Sequence, residues 1–310
     1  MGVSGWNRLP ANRDIAHEAE EKSSLTRSVL RIILIIKIMI PSERISRRGP
    51  FPIKVRVLEV LRTTRLTPGM VRVTLGGKEL EGFRSEAPDD HVRLFFPAEG
   101  ERMPVLPTGM GPRGLEFPAD KPRPVLRDYT PRRYEPAAGE LDIDFVIHGT
   151  GPGSTWASRA KPGDVLGVAG PRGSRVVTPD FDAYVLFGDE TALPAIGRWL
   201  EELPEGARTL VFAEVADASA RLSFKTRAGL EVSWLYREGA PSGASDLLEK
   251  ALRALTFPPG EVFVWGAGES TRMRALRKHL LEERGLNKAW VNLTGYWKRG
   301  VADHDHDSDD

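Results

Sequence analysis

The chain contains no cysteine. Disulfides, thiolate metal sites, iron–sulfur clusters and a cysteine nucleophile are all excluded, so any redox chemistry must come from a bound cofactor. An excess of one charge is missing too: 44 basic and 43 acidic side chains leave a formal +1 over 310 residues. No polyanion is demanded as a partner, and a nucleic-acid function has no support. The six histidines offer no helical i, i+4 pair. Only His304 and His306 lie close together, in the acidic tail 302–310, which is expected to be solvated, so no metal site is expected. Long apolar runs are absent as well. The run Val29–Ile40 holds 12 residues with Arg31 and Lys37 inside it, whereas a bilayer span needs about twenty. No membrane span is expected. A basic start and a well-placed small-residue cleavage site are also lacking, so a signal peptide fits poorly and a cytoplasmic protein is expected.

What is present is a globular composition, 40% hydrophobic and 28% charged, on a chain long enough for two domains. Residues 1–50 stand apart: their polar start has no period. They are expected to be a poorly ordered extension or the product of a start codon assigned too early, Met39 offering a later one. From Ile53 the pattern turns to period-two alternation, with strands expected near 55–60, 70–75, 91–96, 125–134, 141–147 and 164–169. Residues 98–124 are dense in Pro and Gly and read as a long loop. Six short strands and one helix opening near Ser154 predict a closed antiparallel barrel over 53–179, since closure removes exposed edges.

Past Pro179 the grammar becomes strand then helix. Apolar strands are expected at 184–187, 209–215, 230–236, 261–265 and 289–294, with intervening helices that include 191–203, 246–255 and 270–283. This predicts a parallel five-stranded, Rossmann-like sheet covered on both faces over 183–301. The fold class is thus β followed by α/β.

The stretch that organises the chain is Arg127-Asp128-Tyr129-Thr130, followed by His148-Gly149-Thr150-Gly151-Pro152-Gly153-Ser154-Thr155-Trp156. A cation, an aromatic ring and a hydroxyl, then a glycine-rich turn entering a helix, supply what a flavin needs: a platform for the ring, and bare backbone N–H groups at a helix N-terminus for the pyrophosphate. Gly151 and Gly153 let the main chain approach the diphosphate, while Ser154, Thr155 and Trp156 present N–H groups. Trp156 serves equally well as core filling, and His148 as a structural histidine.

Arg-x-Tyr-Thr followed by Gly151-Pro152-Gly153-Ser154 resembles the ferredoxin-reductase-like flavoproteins. The longer wording resembles one branch of them, the siderophore-interacting proteins or ferric-siderophore reductases: Asp142 to Gly149, Gly188-Asp189-Glu190-Thr191-Ala192-Leu193-Pro194, and the closing Gly295-Tyr296-Trp297-Lys298-Arg299-Gly300. The resemblance runs from about residue 53 to 301. It implies an FAD enzyme that takes hydride from NADPH or NADH and reduces chelated Fe(III), acting as a monomer. Arg127 would offset the pyrophosphate charge, Tyr129 would lie against the flavin ring, and Thr130 would bond its edge or the ribityl chain. Asp189, Glu190, Thr191 and Ala192 would flank the nicotinamide, as would Gly266, Gly268 and Glu269 at the fourth strand end. No residue of the chain is expected to act as acid, base or nucleophile. A bulky anionic ferric siderophore suits aromatic faces and cations. Lys298 is the first candidate, with Arg132, Arg133, Tyr296 and Trp297 beside it; a solvated basic C-terminus is the alternative. Arg221 argues for NADPH and Asp217 for NADH. The rival functions are flavin reduction for another acceptor and siderophore binding without turnover.

Overall fold

The computed structural model describes residues 44–111, 114–149 and 151–301. The expectations for the N-terminal extension and the acidic tail lie outside the described residues. The first domain is built on a seven-stranded sheet. Its strands are β2 (Val55–Thr67), β3 (Met70–Gly76), β4 (Val92–Phe95), β7 (Leu126–Tyr129), β8 (Pro131–Glu135), β9 (Glu140–Val146) and β10 (Val165–Ala169), in spatial order β7-β4-β10-β2-β3-β9-β8. Every pairing in it is antiparallel. Two further pairs flank it: β1 (Ile45–Arg48) with β11 (Ser174–Val177), and the hairpin β5 (Gly109–Gly111) with β6 (Gly114–Glu116) inside the long loop.

The stretch expected as one strand from 125 to 134 is two, which changes the count from six to seven. Pro131 has no N–H to give a ladder and breaks the run. Its two halves lie on opposite edges of the sheet, β7 against β4 and β8 against β9. Since only Thr130 separates them, the sheet must curl until its edges meet there. The barrel is therefore a half-barrel closed by covalent bonds at Thr130 rather than by a seventh ladder. Leu58, Val60, Val73, Leu75, Leu94, Leu141, Ile143 and Leu166 fill its interior, as period-two alternation requires.

The second domain is a parallel sheet of five strands: β12 (Ala183–Gly188), β13 (Arg208–Val215), β14 (Gly229–Tyr236), β15 (Val262–Glu269) and β16 (Val291–Trp297), in the order β14-β13-β12-β15-β16. The barrel contributes helix α1 (Pro152–Arg159); the sheet carries α2 (Leu193–Glu202), α3 (Leu247–Ala254) and α4 (Ser270–Lys278). Between β13 and β14 no helix forms; a single 3-10 turn, Ala218–Ala220, precedes extended chain. Leu222 and Phe224 cover the sheet from that extended stretch. Their spacing of two suits a strand-like path, not a helix, and Phe224 stacks on Trp234 with ring planes 2° apart.

The two domains share a core. Met70, at the tip of the β2–β3 hairpin, is buried with Leu193, Ile196 and Trp199 of α2. Arg198 of α2 donates to Ser85 Oγ at 2.8 Å and to the Pro131 carbonyl at 3.2 Å. Arg132 meets Glu201 in a bidentate pair at 2.7 and 2.9 Å, crossing α2 at Gly197, where a Cβ would come within 3.0 Å of the guanidinium. Among the described residues no helix is long and apolar enough to cross a membrane.

Candidate functional site

Tyr129, Gly153 and Trp156, read from the sequence as parts of one motif, lie close together. Tyr129 ends β7 and sits in an aromatic cluster with Phe145 and Phe96, at ring-centroid distances of 4.5 and 6.3 Å. Trp156 joins the same cluster, 5.9 Å from Phe96 and 5.7 Å from Phe145, so its indole is placed as core filling. The Tyr129 hydroxyl lies against Gly153 so closely that a Cβ there would overlap it. The glycine is thus required by the tyrosine. Burial raises the phenol pKa, with the Arg127 charge opposing, so the hydroxyl stays a proton donor at any physiological pH.

Gly151 is the N-cap of α1 and, as a glycine, has no side chain to cap that end. Pro152 follows in the first turn, where its missing N–H costs nothing. Ser154 Oγ instead accepts from the His148 backbone N–H at 2.7 Å and pins the turn, while a Cβ on Gly151 would sit 3.3 Å from His148 Cε1. Thr155 donates its N–H back to the Gly151 carbonyl at 2.8 Å. An open helix N-terminus, two close-packed glycines, a neutral phenol and Arg127 on the adjoining strand fit an FAD pyrophosphate and ring. Thr130 is buried at the seam, with the Tyr296 side chain bonded to it. Tyr296 is thereby turned into the domain boundary; burial first, and the nearby Asp89 charge next, raise its phenol pKa.

The strand-end turns of the second domain are organised differently. Asp189 caps the turn after β12, its Oδ1 accepting from Thr191 N at 2.9 Å and Thr191 Oγ1 at 2.5 Å. Its Oδ2 accepts from the Trp297 indole N–H at 2.8 Å. Glu190 is held by Arg237 at 2.6 and 2.9 Å and accepts from Ala216 N at 2.9 Å. Ala192 is buried, and a Cβ on Gly188 would collide with it. Gly266 makes room for the Phe187 ring, and Gly268 for the Asp189 carboxylate, 2.9 Å from a would-be Cβ. Glu269 caps α4 by accepting from Arg272 N at 3.0 Å. The chain's own carboxylates thus cap the 3-10 turn ahead of α2, through Asp189, and the N-terminus of α4, through Glu269.

Arg132 and Arg133 are also committed: the first to Glu201, the second to Asp142 and Glu140 at 2.7 and 2.8 Å. Lys298, half-buried, has no side-chain ion pair or hydrogen bond among the described residues. Asp217 accepts from Ser219 N and Oγ at 2.7 and 2.6 Å, and the Arg221 guanidinium lies 5.7 Å from the Trp234 ring centroid.

Sequence reasoning missed Asp89, Glu214, Arg237 and Gly243. Asp89 accepts from Asn292 Nδ2 at 2.7 Å across the domain boundary. Burial and neighbouring Asp90 push its carboxyl up to about 6, against the pull of Arg175. Glu214 is buried near the end of β13, bonded to Ser245 and 3.7 Å from Arg237; burial raises its pKa. An acid inside an apolar strand run was the signal for it.

An antiparallel half-barrel followed by a parallel nucleotide-type sheet is the fold shared with a ferredoxin reductase, with a TM-score of 0.55 at 16% identity. Residues 59–175 match the siderophore-interacting FAD-binding domain and 181–300 the siderophore-interacting protein domain. The chain belongs to the siderophore-interacting protein family. It is 35% identical to the ferric vibriobactin reductase of Vibrio cholerae, covering 79% of this chain and 90% of that one. It is 34% identical to the NADPH-dependent ferric-chelate reductase of Escherichia coli, over 79% of this chain and 93% of that one. A siderophore utilization protein from T. fusca superposes with a TM-score of 0.79 at 47% identity, covering 84% of this chain and all (100%) of that one.

Proposed function

We propose that the protein is an FAD-dependent NAD(P)H:ferric-siderophore reductase that frees iron in the cytoplasm by reducing it to Fe(II). The observation that carries the reading is the seat at Gly151 and Gly153, uncapped and packed against the Tyr129 hydroxyl, in a chain whose relatives bear ferric-reductase names. FAD, when bound, accepts two electrons from a nicotinamide and passes them singly to iron.

The chain's residues bind and orient. Tyr129 offers a neutral ring and hydroxyl, Arg127 a cation for the pyrophosphate, and the first turn of α1 its N–H groups. Thr130, held by Tyr296, fixes a hydroxyl at the flavin edge. Lys298 makes the anionic contact with the chelate: Arg132 and Arg133 are already neutralised by Glu201, Asp142 and Glu140, and a cation without a carboxylate partner among the described residues keeps its field for a ligand. Reduction suffices for release, because hard anionic oxygens hold Fe(III) far better than Fe(II).

The test is anaerobic. Purified protein should be yellow, its flavin should bleach with NADPH or NADH, and a ferric siderophore plus a ferrous chelator should then develop colour. A protein that cannot take up FAD, or a bleached one that yields no Fe(II), defeats the proposal.

A further inference from the structure

Two adjacent carboxylates, Asp89 and Asp90, stand at the domain boundary just ahead of β4, and the reaction described above uses neither. Asp90 is buried and firmly held. Its Oδ2 accepts from Ser85 Oγ at 2.9 Å, Ser174 Oγ at 2.7 Å and the Glu86 and Ala87 N–H groups at 2.8 and 3.2 Å, and Arg198 of α2 is bonded to the same Ser85. Those four donors favour its charged form. Asp89 is half-buried, with its carboxylate turned inward onto Asn292 Nδ2 at 2.7 Å. The buried Trp265 indole N–H beside it is otherwise without a partner among the described residues. The groups that face Asp89 are thus Asp90 on its own loop, Arg175 of β11, Trp265 of β15, and Asn292 and Tyr296 of β16.

The proposed flavin edge is two side chains away. Tyr296 lies where the register of β15 and β16 slips, between Gly295 and Trp297, an irregularity of the kind that re-aims a side chain. It feels the Asp89 charge and is bonded to Thr130, which is buried at the seam. A flavin ring is neutral when oxidised and carries a negative charge after it accepts hydride. Like charges across a low-dielectric boundary oppose each other, and the relief is protonation of the acid whose charge is least secured. Burial and Asp90 already bring the Asp89 carboxyl up to about 6. An asparagine would accept from Asn292 equally well; what the aspartate adds is a charge that can change.

We infer that Asp89 couples protons to electrons in this protein: it takes up a proton from solvent as the flavin edge gains charge, and returns it as the electrons leave for iron. The balance closes. Hydride brings two electrons and one proton; two Fe(III) take one electron each, that proton leaves, and the proton held by Asp89 goes back to solvent. Asp89 touches neither flavin nor chelate, so its charge acts across Tyr296 and Thr130. Ionised, it lowers the flavin potential and makes the flavin a stronger reductant for iron. This coupling rests on the flavin assignment made above and adds the group that sets how the potential moves with pH.

The potential of bound FAD is measured spectroelectrochemically across about pH 5 to 8.5, in the unsubstituted protein and in Asp89→Asn. One proton per two electrons gives a slope of about 30 mV per pH unit, which the Asn variant should keep throughout. With the proton affinity of Asp89 raised about tenfold by flavin reduction, the unsubstituted protein should steepen by about half between about pH 6 and 7. Above that window it should lie about 30 mV below the variant, and near pH 5 the two should coincide. Alongside, a reduced-minus-oxidised infrared difference spectrum of the unsubstituted protein is recorded at about pH 6.5 with and without ¹³C-labelled aspartate. A protonated-carboxyl band that moves with the label should appear on reduction, and it decides the matter if the Asn variant does not hold flavin. Superimposable pH profiles of the two proteins, or no label-sensitive band, overturn the coupling and leave the flavin assignment standing. If neither protein takes up FAD, the flavin assignment falls and the coupling with it.

Discussion

At the scale of single residues, two side chains set the terms of the proposed flavin seat, Tyr129 and the hydrogen of Gly153. Gly153→Ala should lower thermal stability by about 1–3 kcal/mol through overpacking, outweighing the roughly 1 kcal/mol that alanine gains over glycine in a helix, and should deplete bound FAD. Combining it with Tyr129→Phe should recover part of the stability, since the hardest overlap is with the hydroxyl while the ring carbon at 3.1 Å and Phe96 at 3.3 Å stay tight, but not flavin content; a melt and a flavin absorbance ratio check both. Asp89 makes a pH prediction. Its folded pKa of about 6 lies above the unfolded value of about 3.9. Folding thus takes up a proton between the two, and the stability from this group is complete below about pH 4 and lost as pH rises through about 6. Asp89→Asn keeps an acceptor for Asn292 and should gain about 2 kcal/mol near pH 7.5, with the gain vanishing near pH 4 in urea titrations. Lys298→Ala should raise KM for an anionic ferric siderophore several-fold and leave flavin bleaching by the donor untouched, a split that separates chelate binding from donor binding. The nearness of Tyr129 to Gly153 was legible because the proposed chemistry fixes their order along the chain. Asp89 and Glu214 were not. Their significance comes from burial beside residues distant in sequence, Asn292 and Ser245, which no local spacing announces.

Among the elements, α2 carries the most weight outside the cores. Arg198 is buried and bonded to Ser85 and Pro131 of the other domain, so Arg198→Ala removes charge-assisted bonds and leaves a buried carbonyl without its donor. A loss of about 2–3 kcal/mol is expected in chemical denaturation. Glu201→Ala, cutting a pair whose acid is about one-third exposed, should cost under about 1 kcal/mol. The five parallel strands were readable from sequence because each is a continuous apolar run; burial on both faces leaves no other composition open to them. The connection between β13 and β14, for which the sequence offered no helix, is extended chain after one 3-10 turn. Leu222 and Phe224 cover the sheet with a period of two, a pattern too short to stand out against the expected rhythm. The division of 125–134 into two strands was equally hidden, since both halves alternate correctly and only Pro131 marks the break.

For the whole molecule, the shared core predicts single-step behaviour. Met70 of the β2–β3 hairpin, with Leu66 and Val146 packed alongside, belongs to the same cluster as α2 and the parallel sheet. The complete protein should therefore unfold in one calorimetric transition, with calorimetric and van't Hoff enthalpies equal. A fragment of residues 45–179 should expose that apolar surface and fail to give a cooperative melt. Two separate transitions, or a fragment that melts sharply, would show that the domains stand alone.

The covalent joint at Thr130 also fixes something about length. β7 and β8 are the two margins of one curled sheet, and a single residue spans the distance between them. An added residue at that joint would rotate one margin by half a pleat, because side chains alternate faces with every step along a strand. Arg127 and Tyr129 would then exchange inside for outside, or β8 would lose its pairing with β9. On this plan the spacing from Leu126 to Glu135 is held as firmly as the residues of the flavin motif inside it.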